Sequence, residues 1–284
     1  MVWRMRVFGS KDGGYFLCLV KNYLDTIVVG NGESLTTGLS RGDLRVMIIF
    51  FALILHWYLS LFFQTIFLHR YASHNMFKMT PFVEKVFYFL TFLFQGSSFL
   101  HPAAYGVMHK KHHAHTDTPN DPHSPVHIKN IISFNLATVV EYRKLVNDFT
   151  EGKRSDSTVP RWEIMEKISE SLITRAAFIL IYFLFYYHFS TANWQYIFLP
   201  IHIMMGPIHG FIVNWFGHKR GYRNFDSLND NSKNTLPLDF LMMGELYQNN
   251  HHYKPNNINF AVKWYEYDFG FLATRFLKRI KIIY

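Results

Sequence analysis

The chain has 284 residues, 49% hydrophobic and 18% aromatic but only 17% charged, against roughly 25% charged in an ordinary soluble domain. This excludes a plain water-soluble globule, while a mean hydropathy of 0.00 excludes a chain built mostly of membrane-spanning helix, so a large polar part accompanies a few spans. Lys and Arg outnumber Asp and Glu by 29 to 20, which suits an anionic membrane face or a phosphate-bearing ligand; no nucleic-acid motif claims the charge, and the single Cys18 excludes an internal disulfide and a multi-thiolate metal site.

No linker, repeat or low-complexity run divides the chain, so we expect an N-terminal segment, 1–45, and one membrane domain, 46–284. The N-terminal segment is basic, and its stretch from Tyr15 to Val29 is interrupted by Lys21, Asn22 and Asp25, so it reads neither as a firm span nor as a signal peptide. Val46 to Leu68 carries no formal charge and is long enough, at ~1.5 Å per residue, to cross about 30 Å of hydrocarbon. Phe82 to Leu100 is apolar but holds Glu84 and Lys85 at one end and Gln95, Gly96, Ser97 and Ser98 at the other, so it spans or lies in the interface. Residues 104–172 are rich in ionisable groups and read as water-side structure. Two further apolar runs, Ala176 to Ser190 and Gln195 to Phe216, are separated by four residues and read as a hairpin through the membrane. The expectation is an all-α integral membrane protein with three to four transmembrane helices and a water-side helical cap. The end of the chain, RFLKRIKIIY, is a basic and apolar mixture suited to an anionic leaflet.

Sixteen histidines are the outlier. Three compact clusters sit at the ends of apolar segments: His69 and His74; His109, His112 and His113; and Gln248, His251 and His252. Residues at i, i+3 and i+4 share a helical face, so His109, His112 and His113 can converge, and Gln248, His251 and His252 repeat that spacing. Asn214 and His218 form an i, i+4 pair where the last apolar run meets water. His69 and His74, five apart, do not share an α-helical face, which implies a helix end turning over the site. Neutral imidazole binds borderline first-row metals, and eight such groups can hold two ions without sulfur; iron suits histidine-bound open positions that meet O2 better than structural zinc does. Asp117, Asp121 and Glu245 stand close in sequence and can accept a ligand's second ring N–H. His56, His101, His123, His127, His188, His202 and His209 are read as ordinary satisfied histidines, with a role in lining an internal tunnel open for His202 and His209, and His115 is read as an exposed neighbour.

These residues resemble the integral-membrane fatty acid desaturase family, most closely its acyl-CoA (delta-9, stearoyl-CoA-type) branch. The matching motifs are HRYASH at 69–74, HKKHH at 109–113 with DPH at 121–123, NWFGH at 214–218 and GELYQNNHH at 244–252. The resemblance implies a di-iron enzyme with two Fe2+ ions that uses O2 and two external electrons to introduce a cis double bond into a long-chain acyl-CoA or acyl-lipid, near delta-9. Carried over by motif, the ligands are His69, His74, His109, His112, His113, His218, His251 and His252, with Asn214 holding an iron through water. Gln248 stands where this branch usually has His; an amide oxygen binds iron more weakly than imidazole. Without a fused cytochrome domain or a flavin or nicotinamide fingerprint, electrons come from a separate donor such as cytochrome b5 or ferredoxin. The rival readings are a histidine-box hydroxylase or ketolase of a lipid, alkane or carotenoid, and a membrane metal transporter or sensor. Transporters keep their ligands near the bilayer midplane, whereas these clusters fall in water-side segments. All clusters must reach one aqueous side, which we take as cytosolic, so Phe82 to Leu100 cannot cross once.

Overall fold

The computed structural model describes residues 40–284 apart from 122 and 129; the stretch from Tyr15 to Val29 lies outside the described residues. Among the described residues the architecture is helical, and β pairing is confined to isolated bridges joining Tyr222 to Asn234 and Asn234 to Tyr247.

Helix α1, Arg41–Phe63, starts at a capping box in which Ser40 accepts from the Asp43 N–H and Asp43 accepts from Ser40. It continues into a π-helical segment, Gln64–Ser73, so the continuous helix Arg41–Ser73 has 33 residues. At ~1.5 Å per residue it is longer than a 30 Å hydrocarbon core requires, and the first histidines stand at its far end. Met47, Phe51, Ile54 and Leu55 stand exposed along its apolar part, which suits lipid and not water. Helix α2, Pro81–Gln95, is capped by Thr80 and has only 15 residues, too short to cross alone. A 3₁₀ turn, Gly96–Ser98, reverses the chain into α3, Pro102–His115. Phe82 to Leu100 therefore holds no single helix long enough to cross a membrane.

Helix α3 packs on the π-helical end of α1. Gly106 faces that segment, and a Cβ on it would stand 2.8 Å from the Ala72 carbonyl oxygen. Only glycine permits this approach. Helix α4, Ile131–Thr150, covers α3 through Leu145, Val146 and Phe149. Its other side shows Ile132, Leu136, Val139 and Val140 exposed at helical spacing. This part of the stretch expected in water thus presents an apolar stripe suited to the membrane interface.

After α5, Glu163–Glu170, the second long apolar helix is α6, Leu172–Phe189, long and apolar enough to cross a membrane. A 3₁₀ segment, Asn193–Phe198, then α7, Leu199–Ile203, and α8, Met205–Lys219, form the last apolar run. That run is not straight. It bends by 75° at Met204, between Pro200 and Pro207, each of which removes a backbone donor from the helical ladder. Among the described residues two helices are thus long and apolar enough to span a membrane, or three if the bent pair counts as one. The C-terminal part adds a 3₁₀ turn, Leu238–Leu241, a short α9, Gln248–Tyr253, and α10, Phe269–Arg279, capped by Asp268.

Inside the apolar bundle His56, His202 and Tyr186 satisfy one another. The two Nδ1 atoms stand 2.7 Å apart, His56 Nε2 meets the Phe94 carbonyl at 2.8 Å, and His202 Nε2 meets the Tyr186 hydroxyl at 3.0 Å. His209 is different: buried edge-on against Trp57, it has no hydrogen-bond partner at either ring nitrogen.

Candidate metal centre

The π-helical segment changes the geometry of the first histidine pair. In an α-helix five residues advance 500°, leaving the two side chains about 140° apart. In the i→i+5 winding of a π-helix, the His74 N–H donates to the His69 carbonyl at 3.3 Å, and Ser73 Oγ donates to the Leu68 carbonyl. The two rings come to 5.1 Å. A shared face, not a turn over the site, brings them together.

The eight clustered histidines form two adjoining groups whose potential ligand atoms lie within 4.8 Å of one another in each group. One contains His69, His74, His109, His113 and His251; the other contains His112, His218 and His252. The second cluster therefore does not converge on one point. His109 and His113 turn to the first group and His112 to the second, and α9 likewise divides His251 from His252. The groups touch where the rings of His113 and His252, tilted by 43°, lie 4.6 Å apart between centroids.

In the first group Nε2 atoms face one another. His74 is 2.8 Å from His109, His109 3.0 Å from His113, His113 2.9 Å from His251, and His251 3.0 Å from His69. A neutral imidazole nitrogen carries either one proton or one lone pair, so nitrogens with two such neighbours cannot be fully served by protons. A cation serves all the lone pairs at once. Nitrogens bound about 2.0–2.1 Å from one ion stand about 2.8–3.4 Å apart, from right-angle to tetrahedral arrangements. In the second group His112 and His252 Nε2 are 3.3 Å apart, and His218 Nε2 is buried without a partner. The donor set fits two histidine-bound metal ions.

Four carboxylates fix the tautomers. His69 Nδ1 faces Glu245, His112 Nδ1 faces Asp121 at 2.8 Å, His218 Nδ1 faces Asp117 at 3.0 Å and His252 Nδ1 faces Asp230 at 3.0 Å. Each leaves Nε2 as the free lone pair. Glu245, Asp117 and Asp121 fill the places expected of them; Asp230, 22 positions before its histidine, is the one missed. Burial by itself would raise these carboxyls, yet the imidazole hydrogen bonds and charges hold all four below the usual carboxylate range. Burial and then neighbouring imidazoles push His109, His113 and His251 well below the ordinary histidine value, His74 to about 2 and His252 to about 4. These five imidazoles are neutral at pH 7, the state a metal requires.

A deeper layer supports Glu245. The guanidinium of the fully buried Arg70 bonds Glu245 at 2.9 Å and both oxygens of Asp268, and it lies 4.1 Å from the centre of the Phe260 ring. Asp268 also caps α10, so the C-terminal helix is tied to His69 through two carboxylates and one arginine.

Gln248 is buried, but its amide donates to the Glu245 carbonyl at 2.6 Å. Asn214 donates to the Gly210 carbonyl at 2.8 Å and lines an apolar cavity of about 250 Å³. The cavity has Leu100, Met108, Phe134 and Phe211 in its wall, and reaches His69 and His109 of the first group. A separate recess of about 260 Å³ reaches His113 and His252 and is lined by His115, Asn229 and Asp230. His115 is exposed, as expected. His202 and His209 are not among the residues lining the apolar cavity.

The fatty acid desaturase family profile matches residues 45–277. The chain belongs to the fatty acid desaturase family. The desaturase is 24% identical over 233 residues to an sn-1 stearoyl-lipid 9-desaturase of Anabaena variabilis, covering 80% of this chain and 79% of the relative. It is 26% identical over 219 residues to delta-9 acyl-lipid desaturase 1 of Arabidopsis thaliana, covering 76% and 68%. It is also similar to a hex-5-enoyl-[acyl-carrier protein] acetylenase of Moorena producens, at 24% over 256 residues, covering 80% and 73%. The desaturase is thus an oxidoreductase of lipid metabolism with apolar helices suited to a membrane and clustered histidines suited to a metal.

Proposed function

We propose that this chain is an O2-dependent di-iron acyl desaturase that introduces a cis double bond near delta-9 into a long-chain acyl-CoA or acyl-lipid. The observation that carries the reading is that one apolar cavity ends on His69 and His109, members of the five-histidine group. His69, His74, His109, His113 and His251 would hold one iron and His112, His218 and His252 the other, with Asn214 and Gln248 at their margin. Two bound irons with O2 supply the oxidising power. Two hydrogens leave adjacent acyl carbons and, with two electrons and two protons from outside, O2 departs as two waters.

The chain's own part is positioning. Leu100, Met108, Phe134 and Phe211 seat an extended apolar chain and exclude water from it. Asp117, Asp121, Asp230 and Glu245 keep Nδ1 protonated on four imidazoles, so that four Nε2 lone pairs point inward. The recess beside His113 and His252 offers an external donor, cytochrome b5, ferredoxin or a similar carrier, an approach separate from the acyl cavity. The histidine-bearing cap faces the cytosol of a multi-pass protein, and residues 46–284 act as one domain. The relatives' names favour acyl-lipid as the carrier. Expression in a host lacking its own desaturase, followed by gas chromatography of fatty acid methyl esters, tests the reading. A new cis monoene is expected; a hydroxy product, or no change with iron and donor present, contradicts it.

A further inference from the structure

We propose that α10 and the 3₁₀ turn Leu238–Leu241 form an interfacial anchor that seats the histidine-bearing cap on an anionic phospholipid leaflet. The inference is independent of the metal chemistry and requires only that α1 crosses a membrane.

The outward face of α10 is apolar. Phe269, Leu272, Phe276 and Ile280, the last just past the helix, stand exposed, and at 3.6 residues per turn they fall in one stripe about 80° wide. The inward face is made by Gly270 and Thr274, both buried, and by Ala273 and Leu277, which pack on the core around Phe67 and Tyr88. Arg275 and Arg279 border the stripe and are exposed, as is Lys281 beyond the helix. No Asp or Glu is exposed between Val262 and Tyr284, because Glu266 and Asp268 are buried. An apolar stripe edged by arginine, without an exposed carboxylate, complements an anionic lipid surface. Both ends of the helix are fastened, which holds the stripe outward. Asp268 caps the Phe271 N–H and accepts from Arg70 at 2.8 and 2.9 Å, and past the other end Tyr284 and Lys78 exchange backbone hydrogen bonds of 2.7 and 3.1 Å.

The level of this surface follows from α1. Tyr58 is the last exposed residue of the continuous helix Arg41–Ser73, and at ~1.5 Å per residue it lies about 20 Å from Arg45, inside a core of about 30 Å that begins where the charges end. The turn Leu238–Leu241 is docked at that level. Trp57 Nε1 donates to the Leu241 carbonyl at 2.9 Å, and the Tyr58 hydroxyl donates to the Phe240 carbonyl at 3.2 Å. Phe240 and Leu241 are exposed there, and the Phe240 ring stands 6.4 Å from that of Phe269 at the start of α10. From this point α10 packs along the π-helical segment, whose first residue, Gln64, lies about 30 Å from Arg45 at the edge of the core. The turn therefore meets acyl chains, and α10 carries the same apolar surface up to the headgroups, where Arg275 and Arg279 find phosphate. Trp and Tyr mark such boundaries, and Trp264, 87% exposed, stands with Tyr265 and Tyr267 just before α10.

The test uses the full-length protein in nanodiscs of phosphatidylglycerol and phosphatidylcholine, in a Cys18→Ser background, with a nitroxide on Phe276→Cys or, as a control, on Lys153→Cys in the cap. Collisions with O2 and with a water-soluble nickel chelate report depth. The label at position 276 is expected to meet O2 and be shielded from the chelate, and the label at position 153 to show the reverse. Native mass spectrometry then reads the ratio of phosphatidylglycerol to phosphatidylcholine retained on the protein. Arg275→Gln with Arg279→Gln is expected to lower that ratio about tenfold, at ~1 kcal/mol per basic residue near an anionic surface, while Arg275→Lys with Arg279→Lys keeps it. Equal chelate access at positions 276 and 153 overturns the proposal, as does an unchanged ratio in the glutamine variant or an equal loss in the lysine variant. Strong spin–spin coupling between labels at position 276 on two chains would instead give the face to a second copy and also overturn it.

Discussion

Asp230 and His252 show how a residue distant in sequence sets the chemistry of a ligand. Their 3.0 Å contact fixes the imidazole proton on Nδ1, and losing such an outer partner typically lowers metal affinity or activity about 10–100-fold. Asp230→Ala is therefore expected to weaken iron binding by that order while the protein still inserts in the membrane, read by iron titration of the purified variant. Substituting His69, His112, His251 or His252 by Ala is expected to abolish product; retained product in two of these would break the assignment. The pH dependence follows from the depressed imidazoles. His74, His109, His113, His251 and His252 are held below their unfolded value of about 6.5, so their contribution to stability is intact above that pH. Protons then favour the unfolded, metal-free chain progressively as the pH falls toward the folded values, about 4 for His252. Iron content and activity should decline together below about pH 6; activity lost with iron retained would point to another group.

Among the elements, the π-helical end of α1 and the closely packed α3 build the site. Gly106→Val would drive a side chain into the Ala72 carbonyl, an overpacking that typically costs about 1–3 kcal/mol. It should lower thermal stability and displace His109 from His74, seen as loss of iron from the five-histidine centre first. Arg70→Leu leaves Glu245 and Asp268 buried without their shared cation, a change that typically costs about 3–5 kcal/mol. A wild-type melting temperature in that variant would show that Arg70 does not hold the C-terminal helix to the metal site. The histidine boxes were legible because i, i+3 and i+4 spacing is local information. The π winding was not, since HRYASH carries no mark of i→i+5 hydrogen bonding and α-helical arithmetic puts His69 and His74 on different faces. The division of His109 and His113 from His112 was equally hidden: a shared helical face does not say that two ions sit before it.

For the whole molecule, composition alone separated a membrane part from a polar cap; the apolar run at 46–68 falls within the long helix Arg41–Ser73, and the run at 176–190 matches Leu172–Phe189 in all but its last residue. The 75° bend at Met204 and the apolar stripe on α4 depend on tertiary packing, and neither was readable from a run of apolar letters. Topology can be checked in a Cys18→Ser background with single cysteines at Ser155, in the cap, and at Thr191, in the exposed turn between the later apolar runs. Labelling of Ser155→Cys from the cytosolic side and Thr191→Cys from the opposite side is expected, and labelling of both from one side would refute the hairpin. Adding a cysteine at Ser10 then tests whether one span or two separate the amino terminus from the cap. The account as a whole stands on a paired metal site at the end of an acyl cavity. Its most direct measurement is X-ray absorption at the iron edge on purified protein with iron counted per chain: we expect two irons in a nitrogen-dominated, imidazole-rich shell, whereas one iron or none, or a sulfur-containing shell, would contradict it.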